Sequence, residues 1–518
     1  MPRFFNTTGP CDPRWHYMLP PSQRLPDIQP LIDRMQYFVL HAARQVGKTT
    51  AMRAFAAELR TQGYVAVHAT LETSQQATEV SMAEGRWLPA IAEGAAAVLP
   101  VGDQPPPVAR FAEMATGIRL GAWLGAWATA VAPRKVVLLL DEADTVSGEA
   151  LVNLLRQLRA GFNVRPDRFP SSVALIGMRD LRDYLTQAKD GSPVNPGSPF
   201  NITAASITMR NFTADEVVEL LGQHTQETGQ IFLPEASARI FDWTRGQPFL
   251  VNKLALLCMD DLCPDRAVHV SAAHIDEAKE RLILARTTHL DALAERLKEL
   301  RIATIVQAIL LGDEDIDYAT DDFQYAVDLG LIVRGPNGAE PANPLYREVL
   351  GRELTFNRQM NMPTPTFRWQ TADNKLDFPA LINEFCDYWR ENADAITRRQ
   401  VLYTEAVTHI TFMAFLQRVV NGGGVIQREF AAGRGAVDVV AHFAGERFVT
   451  EIKRVRPKDG MATVRARGIA QLSRYLDVLG LDEGWLLVVD QRPRRTWRQR
   501  LWREDVTVEG RVLHLVGV

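Results

Sequence analysis

Residues 36–50, Gln-Tyr-Phe-Val-Leu-His-Ala-Ala-Arg-Gln-Val-Gly-Lys-Thr-Thr, constrain this chain more than any other stretch. The apolar run from Tyr37 to Leu40 reads as a buried strand, a small-residue loop stops it, and a helical pattern follows from Thr50 through Leu59. That order suits a phosphate-binding loop. Successive backbone N–H groups curl around phosphates, a lysine reaches the β and γ oxygens, and a hydroxyl holds Mg²⁺. The helix behind the loop adds its positive end. The spacing places Ala43, Arg44, Gln45, Val46, Gly47 and Thr50 around the phosphates of ATP, Lys48 on the terminal oxygens and Thr49 on Mg²⁺. One position departs from G-x-x-x-x-G-K-[ST]: the first glycine is Ala42, which strains the turn if that residue needs a positive φ.

A second stretch, Lys135–Asp144, fits beside the first. Its five apolar residues in a row match a strand buried on both faces of a parallel sheet. Carboxylates at the carboxyl end of such a strand lie where open α/β sheets bind ligands. Asp141 is expected to hold the hydration shell of Mg²⁺, and Glu142 to orient and deprotonate the attacking water.

The remaining composition sets limits. At 518 residues the chain has room for several domains, and its net charge of −4 gives no global field toward nucleic acid, so any such surface is local. The four cysteines are scattered, with no metal-like pairing beyond a loose Cys258/Cys263, as expected of reduced thiols in a cytoplasmic protein. Residues 1–6 lack the apolar core of a signal peptide, and Ala115–Ala132, interrupted by Arg119, reads as a packed helix rather than a membrane span.

Along the chain, residues 1–35 read as an extended segment that either covers a nucleobase or simply packs. Residues 36–208 alternate strand runs (36–41, 64–70, 136–141, 172–177 and 202–208) with helical patterns, which points to a parallel sheet covered on both faces. Arg179 follows the fourth run, where it either senses a γ-phosphate or makes a salt bridge at a helix start. Residues 209–290 turn helical, with a capped start at Phe212–Glu216. Thr244–Leu250 alone reads as helix punctuation ahead of an apolar helix. In 291–356, helices precede a hairpin turning at Asn337-Gly338, a winged-helix-like order that serves either duplex binding or spacing. The Pro-containing stretch 357–376 reads as a boundary, within a linker and connecting helix over 357–393.

Residues 394–518 carry a second acidic centre. A helix is expected over Asp394–Val420, with Glu405 in its first half, then a glycine break, a strand at 425–430, Asp438 on the next strand, and a return strand Phe448–Lys453. In a strand, residues i and i+2 share a face, so Glu451 and Lys453 point together while Ile452 points to the core. The hairpin can bring Asp438 beside them. Two carboxylates and an amine converging there can bind Mg²⁺, generate hydroxide and stabilise a pentacovalent phosphate. Gln471 and Tyr475 lie one turn apart on a following helix. Residues 425–518 hold 17 Lys/Arg against 12 Asp/Glu, opposite in sign to the whole chain. In the basic stretch, Arg492, Arg494, Arg495, Arg498 and Arg500 flank Trp497; this suits either nucleic-acid backbone contact with base stacking or a solvated basic helix over core tryptophans.

With these residues in view, the chain resembles bacterial AAA-like ATPases, of the STAND and archaeal-type branch, fused to a C-terminal PD-(D/E)xK nuclease domain. The stretches that carry the resemblance are Ala42–Thr49, Leu138–Asp144, Gly177–Asp180, Ser198–Asn201 and Gly246–Pro248 in the first half, then Glu405, Asp438, Glu451, Lys453 and Gln471. It implies an α/β fold: a P-loop NTPase core over 36–208, a helical lid over 209–290 with Pro248 near the nucleotide, a winged-helix-like module over 291–356, and a restriction-endonuclease-like domain over 394–518. It further implies that Asp438 and Glu451 ligate Mg²⁺, with Mn²⁺ able to substitute, that Lys453 activates water, and that Gln471 supports the site. The expected activity is ATP-regulated, Mg²⁺-dependent cleavage of DNA by a homo-oligomer without membrane attachment, in defence or mobile-element biology. Any arginine finger would come from a neighbouring subunit, with Arg159, Arg165 and Arg168 as candidates. The rival reading is an ATP-driven oligomerising switch, or a DNA remodeller, whose C-terminal domain binds nucleic acid without cutting it.

Overall fold

The computed structural model describes residues 3–74, 77, 79–146, 148–178, 203–285, 288–310, 320–335, 338–360, 371, 373, 375–398, 411–416, 439–443, 445–455, 459–490, 492 and 494–518. Arg179, Glu405, Asp438, Ser198–Asn201 and the expected strand 425–430 lie outside these residues. The chain divides into two compact units, Met1–Leu284 with Asp328–Gly330, and Ala285–Val327 with Leu331–Val518.

The first unit is built on five parallel strands: β1 (Tyr37–His41), β2 (Val65–Thr70), β3 (Val136–Asp141), β4 (Ser172–Gly177) and β5 (Thr203–Thr208), in the order β2-β3-β4-β1-β5. Each begins within one residue of its expected position. Every residue of β3 and β4 is buried, as the unbroken apolar runs require of strands covered on both faces. The alternation of side chains sorts these residues into two cores. Val39, Val67, Leu138 and Leu140 pack on one face with Trp87, Trp123 and Trp127. Phe38, Leu40, Val137 and Leu139 pack on the other with Met52, Phe55 and Leu59.

Four helices supply those partners: α1 (Lys48–Thr61), α2 (Val80–Ala96), α3 (Arg119–Val131) and α4 (Gly148–Phe162). The apolar stretch around Ala115–Ala132 is the packed helix α3, with Leu120, Trp123, Leu124 and Trp127 buried at helical spacing. Buried Glu84 of α2 receives the N–H groups of Gly117 (2.8 Å) and Arg119 (3.1 Å), satisfying donors at the start of α3. A helical region follows in α5 (Ala214–Thr228), α6 (Pro234–Thr244), α7 (Pro248–Leu257) and α8 (Ala272–Leu284). Thr213 and Glu216 form the reciprocal capping box that their spacing suggests.

The second unit opens with α9 (Thr288–Arg296), α10 (Leu300–Leu310) and α11 (Thr320–Asp328), then an antiparallel hairpin of β6 (Ile332–Gly335) and β7 (Gly338–Pro341). The order of helices before a hairpin is the expected one. Helix α12 (Pro344–Met360) runs into the segment read as a boundary, which moves the start of that boundary. Within the stretch read as a linker and connecting helix lies α13 (Phe378–Arg398), and its stripe Phe378, Leu381, Ile382, Phe385, Trp389 buries one continuous helix face. Residues 411–416 are helical and buried, and 399–410 fall outside the described residues.

A mixed sheet completes this unit: β8 (Val439–Phe443), β9 (Glu446–Val455), β10 (Glu483–Asp490), β11 (Trp502–Val508) and β12 (Arg511–Gly517), in the order β11-β12-β10-β9-β8. β8 and β9 are the expected antiparallel hairpin, and β10 runs parallel to β9 after a crossover through helix α14 (Met461–Leu479). One sheet face carries the aromatic core of α13 with Phe448, Ile452 and Trp485. The other packs Val449, Val455, Leu486 and Val488 against Leu472, Tyr475 and Leu476 of α14. No helix among the described residues is long and apolar enough to cross a membrane.

Candidate functional site

The loop between β1 and α1 has its positive-φ residues at Gln45 (φ 59°) and Gly47 (φ 91°); Ala42 is not one of them. Alanine therefore meets no backbone strain where the motif has its first glycine. Ala42 is buried, and its N–H donates to the Gly177 carbonyl at the end of β4 (3.3 Å). Lys48 lies inside the loop and donates from Nζ to the carbonyls of Ala42 (2.7 Å) and Ala43 (3.0 Å). Burial pulls its ammonium pKa down, against the carboxylates of Asp141, Glu142 and Asp144.

Three chain segments meet at Asp141. The Thr49 hydroxyl donates to Oδ2 (2.7 Å), the His68 imidazole reaches the same oxygen (3.0 Å), and the Glu142 N–H donates to Oδ1 (3.0 Å). Burial alone would raise this carboxyl, but the bonds from His68 and Thr49 outweigh it and hold it below the usual range. Glu142 turns the chain at φ 55°, a costly conformation for a residue with a Cβ, and the backbone and hydroxyl of Thr145 fix the turn by bonding its carbonyl (3.0 and 2.7 Å). Burial first, then the neighbouring Asp144 and Asp141, push the Glu142 carboxyl up, toward the range useful in a base. Asp144 accepts from the Met178 N–H (2.9 Å), which joins the ends of β3 and β4. His68 is the member that sequence reasoning missed. Its signal was a polar residue inside the otherwise apolar run of β2, which the register sets diagonally across from Asp141.

Beside the loop is a cavity lined by Cys11, Tyr17 and Arg24 of the N-terminal segment, by Gly47 and Thr50, and by Pro248 of the helical region. Thr50 accepts the Cys11 N–H on its hydroxyl (2.9 Å), and Arg24 donates from Nη2 to the Val46 carbonyl (3.0 Å) and to that of Arg210. Gln247 caps α7 and donates to the Gln45 carbonyl (3.3 Å). Gly246 (φ 71°) runs so close to Phe212 that a Cβ would sit 1.9 Å from its carbonyl oxygen. Gly246-Gln247-Pro248 is thus helix punctuation, and its Pro248 also walls the cavity. Arg44 is exposed, 3.4 Å from the Met178 sulfur. Arg165 bonds the Met35 carbonyl (2.8 Å) and stacks on Phe162, so it is engaged within its own unit and unsuited to reach a neighbour; Arg159 and Arg168 are exposed.

In the second unit, Glu451 is fully buried and its Oε1 lies 2.5 Å from Lys453 Nζ, on the face toward α14, while Ile452 enters the aromatic core. Helix α14 comes close there: a Cβ on Gly468 would lie 3.1 Å from Lys453 Cγ. Gln471 is half-buried and Tyr475 buried on the same helix. Asp438 directly precedes β8 in sequence, and neither it nor Glu405 is among the described residues. Those residues contain no cluster of three or more His, Cys, Asp or Glu side chains able to hold a metal ion.

The basic stretch divides. Arg492 is paired with Asp490 (2.6 and 2.8 Å) and outweighs burial to hold that carboxyl low. Arg500 lies over the Trp497 ring (5.2 Å), and Trp497 packs against the aromatic core. Arg492, Arg500 and Trp497 are thus each half-buried with a partner inside the fold. Arg494, Arg495 and Arg498 are exposed.

Comparison with known proteins bears on the first of these sites. Residues 33–185 match the family described as "AAA domain". An uncharacterised WD repeat-containing protein of Synechocystis sp. is 25% identical over 263 residues, 45% of this chain, which spans 20% of that protein's length. Among solved structures, the Walker-type ATPase of Pyrococcus abyssi is similar at 15% identity and a TM-score of 0.48, covering 67% of this chain and 99% of its own. The Thermotoga maritima RuvB Holliday junction branch migration motor (16% identity, TM-score 0.34, 64% and 92% of the two chains) and Cdc6p of Pyrobaculum aerophilum (14%, 0.34, 65% and 96%) are more distant in shape. All three TM-scores lie below 0.5. The family match and the convergence of Lys48, Thr49, Asp141 and Glu142 fall in one region: residues 33–185 are similar to an AAA domain and carry the residues of a phosphate-binding loop.

Proposed function

We propose that the first unit binds and hydrolyses ATP, and that the C-terminal α/β fold is a Mg²⁺-dependent nuclease acting on DNA under its control, inside the cell and as a homo-oligomer. The observation that carries the ATPase reading is the bond from Thr49 to Asp141, two segments far apart in sequence that place a hydroxyl and a carboxylate side by side. Hard oxygen donors of this kind fit Mg²⁺. When bound, that ion would neutralise charge on the phosphates. The chain's own groups do the rest: Lys48 holds the terminal oxygens, loop N–H groups orient the phosphates, and Glu142 takes the proton of the attacking water. The cavity beside Gly47 and Thr50 receives the nucleoside, walled by the N-terminal segment and Pro248. Arg179 would sense the γ-phosphate.

For the second unit, support comes from Glu451 and Lys453 converging on the face toward α14, with Gln471 on that helix. We assign metal ligation to Glu451 with Asp438, water activation to Lys453, support to Gln471 and Glu405, and strand contact to Arg494, Arg495 and Arg498. Of the oxygen ligands, the described residues supply Glu451 alone. The winged-helix-like order at 288–341 and the domain spans 36–208, 209–290, 291–356 and 394–518 belong to the same proposal. One observation favours the rival, non-cutting reading: Lys453 pairs with Glu451 within one strand, which a purely structural pair also does. Labelled single- and double-stranded DNA and RNA, incubated with Mg²⁺ or Mn²⁺, with and without ATP, separate the two. Cleavage lost in Asp438→Ala and Lys453→Ala supports the nuclease, whereas binding without cleavage by the wild type supports the switch or remodeller.

A further inference from the structure

The cavity beside the phosphate loop contains two polar groups that the fold leaves unanswered. Asn252 stands one turn into α7, is 7% exposed, and lines the cavity. Its Nδ2 donates to the Pro248 carbonyl (2.7 Å), which fixes the orientation of the amide. That leaves Oδ1 as a buried acceptor with no hydrogen-bond partner among the described residues. An amide oxygen held that way is costly, and natural interiors keep few of them unless a ligand or water answers.

Arg24 faces the same cavity from the N-terminal segment and is 8% exposed. Its Nη2 serves the Val46 and Arg210 carbonyls, its guanidinium lies 4.7 Å from the Phe212 ring centre, and its Nε has no partner among the described residues. Nη1 lies against Gly47, 3.5 Å from where a Cβ would stand. Burial lowers its pKa to about 10, so it remains a charged donor at neutral pH. Tyr17, Leu220 and Phe212 supply apolar walls. One unanswered acceptor, one donor with capacity to spare and flat apolar walls together fit a planar base that offers an amino group next to a ring nitrogen.

We infer that Asn252 and Arg24 read the nucleobase: the Asn252 carbonyl accepts a proton of the adenine 6-amino group, and an Arg24 N–H donates to a ring nitrogen of the same base. The inference rests on the proposed nucleotide site and adds its selectivity. Guanine presents a carbonyl oxygen where adenine has the amino group, so it sets an acceptor against an acceptor and leaves Asn252 unanswered. Purine riboside triphosphate lacks only the amino group, so it isolates the Asn252 contact.

The experiment is calorimetric titration of the full chain with ATP, GTP and purine riboside triphosphate in Mg²⁺, for the wild type, Asn252→Ala, Arg24→Met and Lys48→Ala. Wild type is expected to bind ATP about tenfold tighter than purine riboside triphosphate, and GTP more weakly still. Asn252→Ala is expected to bind ATP about tenfold more weakly and to bind ATP and purine riboside triphosphate alike. Arg24→Met weakens all three nucleotides but keeps the amino-group preference. The readout is a ratio within each variant, so a general loss of packing does not mimic it, and if Asn252→Ala fails to fold the wild-type ratio alone decides. A wild-type ratio near one, or a preference that survives in Asn252→Ala, overturns the inference while the nucleotide site stands. Absence of binding to any of the three by the wild type, or binding that survives in Lys48→Ala, overturns the site and the inference together.

Discussion

The two acidic centres of this chain are assembled in opposite ways. Around Asp141 two partners come from distant segments, Thr49 at the start of α1 and His68 on the neighbouring strand, and the N–H of the adjoining Glu142 completes the set. Glu451 meets a lysine two residues away on its own strand. The second arrangement is cheap, since strand geometry puts every i and i+2 on one face. The first needs the whole sheet in its observed order. A long-range convergence of buried polar groups is therefore the stronger sign of a working site, and a pair within one strand has to be tested for function separately from stability.

The largest expected effect lies in the first centre. Glu142→Gln keeps the shape of the side chain and removes the base, so ATP turnover should fall by about 10³ while ATP affinity stays within about threefold. A coupled hydrolysis assay and calorimetry check both halves, and equal loss of affinity would point to a binding role instead. In the second centre, Glu451→Ala removes a fully buried carboxylate from beside the partly exposed Lys453 and should cost about 2 to 3 kcal/mol in urea unfolding of that unit. The double change Glu451→Leu with Lys453→Met should cost less than the single one. If the two cost the same, the pair does not behave as a coupled buried ion pair, and the contrast between the centres weakens.

A smaller effect separates the units by pH. Burial lowers the pKa of His289, which bonds the Tyr346 hydroxyl at 2.6 Å, to about 4. The imidazole is then neutral in the folded state and protonated in the unfolded one between about pH 4 and its ordinary value near 6.5. Stability is fully present above that upper value and falls as pH drops through the window, by about 2 kcal/mol or somewhat more. Denaturant unfolding at pH 7 and pH 4.5 should show the loss in the wild type and a flatter profile in His289→Gln. The smallest change is at the start of α5, where Thr213→Ala removes the bond to the Glu216 N–H (3.2 Å) and should cost about 1 kcal/mol.

Much of the first unit was legible in the sequence because its signals are redundant. Five strands announce themselves as apolar runs of sheet-strand length, and the loop, the acids and the capped helix start fall at punctuation that only a few residue types can supply. The role of Ala42 was not legible, since the φ of one residue depends on where Gln45 and Gly47 take the turn. Neither was His68, whose partner is set by strand order rather than by neighbours in sequence. In the second unit the hairpin was legible from its turn and its alternation. The bounds of the connecting helix were not legible, because the aromatic stripe that starts it at Phe378 follows a polar, Pro-containing run. In the basic stretch, the pairing of Arg492 with Asp490 was not legible, because composition does not reveal which arginine has an acidic partner.

The central claim is that Lys48, Thr49 and Asp141 form a nucleotide site. Titrating Mg²⁺-ATP into the wild type and Lys48→Ala, with thermal unfolding as a fold control, tests it most directly. We predict one ATP per chain in the wild type, and affinity reduced by at least about a hundredfold in a Lys48→Ala protein that melts normally. Unchanged ATP binding by that folded variant would contradict the account.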